Sequence, residues 1–112
     1  MIDDCADMRF TVDGWLAEAR SFPRDEPEPS KRTEMRYPWN VPMELMDGQH
    51  VHYVHCRDIS AAGAGVLCRM LLPDDARVYL RRDERDPWVR CRVAHCTPTV
   101  GSYRVGIELL FD

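Results

Sequence analysis

The sequence predicts an all-β protein: a six-stranded antiparallel barrel preceded by a short N-terminal helix and an acidic, Pro-rich linker. Two observations point there. After Ser30 the apolar residues come in short alternating runs separated by turn residues, the pattern of antiparallel strands. Six such strands in about 80 residues close most economically into a barrel, which hides their edges. The chain has 112 residues, room for one modest core.

The helix comes first. Val12, Trp15, Leu16 and Ala19 stand at i, i+3, i+4 and i+7, with Thr11 placed as the N-cap and Arg20 near the negative C-terminal end. Pro23, Pro27 and Pro29, interleaved with Asp25, Glu26 and Glu28, cannot join a regular element and form the linker. The domain division expected is therefore 1–30 for helix and linker and 31–112 for the barrel.

Within the barrel, Val41–Met46 and His50–Arg57 flank Asp47-Gly48, a hairpin turn. Ala64–Met70 follows a Gly-rich bend, and Ala76–Arg81 follows the turn Pro73-Asp74-Asp75. After Pro87, Val89, Cys91 and Val93 share one face, with Arg90 and Arg92 on the other. In the last strand Tyr103, Val105, Ile107, Leu109 and Phe111 keep strict period two.

Charge and composition narrow the function. Residues 31–112 carry 11 acids and 12 bases, too even a balance for a nucleic-acid polymer as partner. Of the 15 bases only Lys31 is a lysine, and arginine offers a planar fork for phosphate or a guanine edge. The longest uncharged stretch, Val93–Tyr103, is 11 residues, short of the roughly 20 that a spanning helix needs, so no membrane insertion is expected. Asp3, Asp4, Asp7, Arg9 and Asp13 interrupt the place of a secretory signal, and five cysteines without a CxxC pair are expected to be reduced thiols. A cytoplasmic location follows as the expectation.

Two clusters carry the chemistry. Arg32-Thr33-Glu34-Met35-Arg36, placed just before the first strand, reads RxxxR, and Asp58-Ile59-Ser60-Ala61-Ala62-Gly63, just after the second, reads DxSxxG. Taken singly, RxxxR in an Arg-rich chain is usually a solvated charge run and DxSxxG a turn with a glycine bend. Both in order, separated by one complete hairpin, resemble the two motifs of the PilZ domain family, over about Ser30 to Phe111 and including the Val-Gly-Ile-Glu stretch of the last strand. The resemblance implies a bacterial cyclic di-GMP receptor on a six-stranded barrel, a second-messenger sensor with no cofactor that changes conformation and partner affinity on binding. It further implies a ligand site of Arg32, Arg36, Asp58, Ser60 and Gly63, and a downstream protein partner that the sequence does not identify. Lys31 stands where many relatives carry another arginine, and the N-terminal helix is the local candidate to cover the barrel's open end.

The chemistry agrees. Cyclic di-GMP offers two phosphates and two guanines, and guanine O6 and N7 accept an Arg fork. In an extended segment Arg32 and Arg36 share a side about 13 Å apart. Ser60 is expected to bond a phosphate or guanine, Asp58 to accept from a guanine N–H or orient an Arg, and Gly63 to supply the bend for close backbone approach. Asp58 and Ser60, two apart, are expected to share a face. The acidic linker adjoining Lys31 is expected to compete with the ligand, so that a chain starting at Ser30 binds at least as tightly as the whole.

Other candidates are weaker. His50, His52 and Cys56 would share a strand face as in a metal site, but the possible partners Cys91, His95 and Cys96 lack a ligand spacing. His95 and Cys96 as strand neighbours point apart, which argues against a nucleophilic pair and against an enzyme. Trp15, Trp39 and Trp88 are expected as core or rim anchors, with Trp39 also a candidate for base stacking. The alternative function is a ligand-free barrel that serves as a protein–protein adaptor.

Overall fold

The structure, a computed structural model, describes residues 5–22, 28–29 and 35–111, with side chains placed from Met8 onward except at 28 and 29. Helix α1 spans Cys5–Ser21, and the strands are β1 (Glu28–Pro29), β2 (Met35–Met46), β3 (Val51–Ile59), β4 (Gly63–Cys68), β5 (Arg77–Arg81), β6 (Val89–Thr99) and β7 (Ser102–Leu109). Every pairing is antiparallel. The order β2-β3-β4-β7-β6-β5 returns to β2 through Glu44–Met46, so six strands close into a ring; contrary to the linker reading, Glu28 and Pro29 join a regular element, the two-residue edge strand β1 along β2, where a proline is tolerated.

The alternation read from the sequence builds the interior. Val89, Cys91 and Val93 meet Val105, Ile107 and Leu109 inside the ring, with Met43, Leu45, Val54, Val66 and Leu80. At about 25 cal/mol per Å² of apolar surface removed from water, each aliphatic side chain contributes about 1.5–3 kcal/mol. The two turns form as expected. Asp47 Oδ1 accepts from the amides of Gln49 and His50 at 2.9 and 2.8 Å. Ala76 N donates to the Pro73 carbonyl at 3.2 Å.

Helix α1 starts earlier than its spacing suggests. Thr11 lies inside it, not at its N-cap, because Met8 continues the stripe by one turn and is as buried as Val12, Trp15, Leu16 and Ala19. All five belong to the barrel's own core. The helix crosses one mouth of the barrel: Trp15 packs on Trp39 with ring centroids 6.2 Å apart and donates from Nε1 to Asp86, and Arg9 sits over the Phe111 ring. Trp39, fully buried, anchors the core and is no stacking platform; Trp88 lies under Arg81 at the rim.

Strand β2 is longer than the alternation predicts and contains Pro38 and Pro42. Proline is tolerated there because β5 reaches only Glu44–Met46, which leaves the first part of β2 with less ladder to disrupt. Arg36 consequently lies within a strand, not before one.

Candidate functional site

The site occupies the outer face at the end of the barrel that α1 covers. Three register shifts build it: on β2 between Pro38 and Val41, on β3 between Cys56 and Asp58, and on β6 between Val93 and His95. Each inserts one extra residue. Cys56 points inward, so strict period two would send Asp58 inward as well; the extra Arg57 turns Asp58 out, while Ile59 returns to the core. Likewise Val93 points inward, and the extra Ala94 turns His95 out.

Register then aligns a row across the sheet. Asp58 pairs with Pro38 on one side and Gly65 on the other, Gly65 pairs with Gly106, and Gly106 with His95. Arg36, two residues from Pro38 on the same face, donates from Nη2 to Asp58 Oδ1 at 2.8 Å. Both side chains keep about a third of their surface in water (31% and 39%), so the pair orients Arg36 more than it stabilises the fold.

The two glycines form a floor. A Cβ on Gly65 would stand 3.0 Å from Asp58 Oδ1, because that carboxylate lies over the glycine. A Cβ on Gly106 would collide with the His95 ring, whose Cε1 and Cδ2 would be 2.7 and 2.8 Å away. An acid from β3 and an imidazole from β6 therefore lean toward each other over a strip without side chains. Gly65 and His95 escaped the motif reading, whereas Gly106 lies in the Val-Gly-Ile-Glu stretch of the resemblance, without a role assigned to it. A further signal in the sequence is the pair of glycines inside alternating strands, which marks close approach.

Ser60 and Gly63 are placed differently from expectation. Ser60 is fully buried and does not share a face with Asp58. Its Oγ accepts from the amides of Ala62 and Gly63 at 3.3 and 3.2 Å, and its own amide donates to the Gly63 carbonyl at 2.8 Å. The hydroxyl holds the β3–β4 turn and is enclosed in it. Gly63 permits the close backbone approach expected of it, since a Cβ there would collide with the Ile107 carbonyl oxygen, but it is no bend: it is the first residue of β4, with an ordinary backbone. It allows β4 and β7 to approach. Arg32 and the linker residues 23–27 lie outside the described residues.

Beneath the site the Cys56 thiol donates to the Asp58 carbonyl at 3.4 Å; burial, with the Asp58 charge adding, pushes it up to about 12 and keeps it neutral. The histidine–cysteine group on β3 does not converge. Cys56 is enclosed in the core, while His52 bonds Asp47 Oδ2 at 2.9 Å at the opposite end of the strand. Among the described residues no helix is long and apolar enough to cross a membrane.

Comparison with known proteins agrees with this fold. No curated protein matches the chain. Among solved structures it is similar to YcgR from Escherichia coli in complex with c-di-GMP, with a TM-score of 0.53 and 13% identity over 72% of this chain and 38% of that one. It is also similar to the PilZ domain of YcgR with c-di-GMP, with a TM-score of 0.52 and 11% identity over 72% of this chain and 79% of that one. At these identities the likeness is one of fold, and the chain spans well under half of the longer YcgR. The PilZ domain family model matches residues 30–112, the whole ring of strands with the Arg36, Asp58 and Gly63 positions in it. The chain belongs to the PilZ domain family.

Proposed function

We propose that this chain binds cyclic di-GMP on the outer face of the barrel, and that it acts by binding rather than by chemistry. The observation that carries the reading is the Arg36–Asp58 pair beside the Gly65–Gly106 floor, in a PilZ domain whose solved relatives hold this nucleotide. Asp58 takes one of the five N–H donors of Arg36 and fixes its plane, which leaves the rest of the fork for phosphate or a guanine edge. The glycine strip leaves room above the sheet for the Asp58 carboxylate and the His95 ring. Arg32, four residues before Arg36, supplies the second cation for the ligand's two phosphates. Ser60 and Gly63 act indirectly, by setting the turn from which Asp58 and Gly65 project. Binding in turn alters conformation and affinity for a protein partner.

Calorimetric titration of the purified chain with cyclic di-GMP, and with GMP as control, tests this. The expected result is saturable binding of the cyclic dinucleotide and none of GMP at the same concentration. A folded chain that binds neither would refute the reading and leave the adaptor function in its place.

A further inference from the structure

We infer that His95 is a ligand-recognition residue outside the two motifs, whose protonated imidazole donates to the bound nucleotide, so that affinity rises as the solution is acidified. The inference rests on the reading that the outer face holds cyclic di-GMP.

The geometry singles out His95. The register shift at Ala94 turns it onto the outer face, and its ring reaches from β6 across Gly106 of β7. From the other direction Asp58 reaches across Gly65 of β4, and the two glycines pair directly. Paired Cα atoms lie about 4.5–5.5 Å apart, so the imidazole and the carboxylate frame a slot about one strand spacing wide. Asp58 is engaged with Arg36, whereas His95 is exposed to solvent at the far wall. Phosphate oxygens and guanine O6 and N7 only accept, and an imidazolium offers two donors where the neutral ring offers one.

The other ionisable side chains around it are carboxylates and guanidiniums, classes whose charge changes lie far from neutral pH. On β7, Arg104 and Glu108 stand two residues to either side of Gly106. On β6, Arg92 is tied to Glu108 and Asp75; on the β5 side stand Asp75 and Arg77, and on β3 Asp58 is tied to Arg36. Phosphodiesters also stay ionised throughout. Protonation of the histidine is therefore the charge change within the slot, and its sign favours a dianion.

The test is calorimetric titration of the full chain with cyclic di-GMP at about pH 8 and about pH 6, for wild type and His95→Gln. The wild type is expected to bind about threefold to tenfold more tightly at the lower pH, the gain of a charge-assisted bond over a neutral one. His95→Gln, which keeps a neutral donor, is expected to show no such slope and to bind near the wild-type level of pH 8. A wild type that binds equally at both values, or a slope that survives in His95→Gln through His50, His52 or His55, overturns the role of His95 and leaves the site itself standing. Absence of binding by folded wild type at both values overturns the proposed function, and this inference with it.

Discussion

The motif residues divide into groups that face solvent and groups that shape backbone, and substitutions separate the two. Arg36→Ala is expected to weaken cyclic di-GMP binding about 30-fold to 1000-fold, because charge-assisted bonds worth about 2–4 kcal/mol are lost. Its melting temperature should stay near wild type, since a part-exposed ion pair contributes little to folding. Ser60→Ala reverses the pattern. It leaves the amides of Ala62 and Gly63 without their buried acceptor, at a cost of about 1–3 kcal/mol, and a thermal melt should show it lowered by several degrees. Titration at a temperature where Ser60→Ala is folded should find much more binding left than in Arg36→Ala. Loss of binding in Ser60→Ala with an unchanged melt would return the hydroxyl to the ligand.

At the scale of elements, the strands and their inward faces were legible in the sequence, because burial on one side forces period two. Val89, Cys91 and Val93, and Val105, Ile107 and Leu109, lie where the alternation put them. The site was legible only in part. RxxxR and DxSxxG locate Arg36 and Asp58, but the register shifts that turn Asp58 and His95 outward depend on pairing with another strand, which periodicity along one strand does not reveal. Ser60 and Gly63 were recognisable as a motif, yet their roles follow from an enclosed turn and from the Ile107 carbonyl, both set by tertiary contact. The β2–β3 hairpin gives a prediction of its own. Bonds from the His50 amide, then from His52 and the Gln49 amide, hold the Asp47 carboxyl well below the usual carboxylate range. A depressed carboxyl stabilises in full above its unfolded value of about 3.9 and progressively less below it. Denaturation midpoints should therefore place Asp47→Ala below wild type by a constant gap near neutral pH, and the gap should narrow as the pH falls below about 4. A gap that widens in acid would contradict the assignment.

At the scale of the whole molecule, helix and barrel share one core, with consequences for both the mouth and the site. Removing residues 1–29 deletes Met8, Val12, Trp15, Leu16 and Ala19 from that core and uncovers Trp39. Burial of large side chains is worth several kcal/mol in total. A chain starting at Ser30 is thus expected to melt well below the full chain and to bind a hydrophobic dye. Arg20 at the end of α1 lies over the Tyr37 ring, 5.5 Å from its centre, which ties the helix to the residue beside Arg36. The account's central claim is that the ligand lies on the outer face, across the row from Arg36 and Asp58 over Gly65 and Gly106 to His95. The most direct measurement is the amide chemical-shift change of the isotope-labelled full chain on titration with cyclic di-GMP. The predicted result is a contiguous set of large shifts at Arg36, Asp58 to Gly65, Gly106 and His95, with the hairpin at Asp47 to His50 unmoved. Shifts centred on that hairpin, or on the groove between α1 and Arg82 to Pro87 with Gly65 and Gly106 silent, would contradict it.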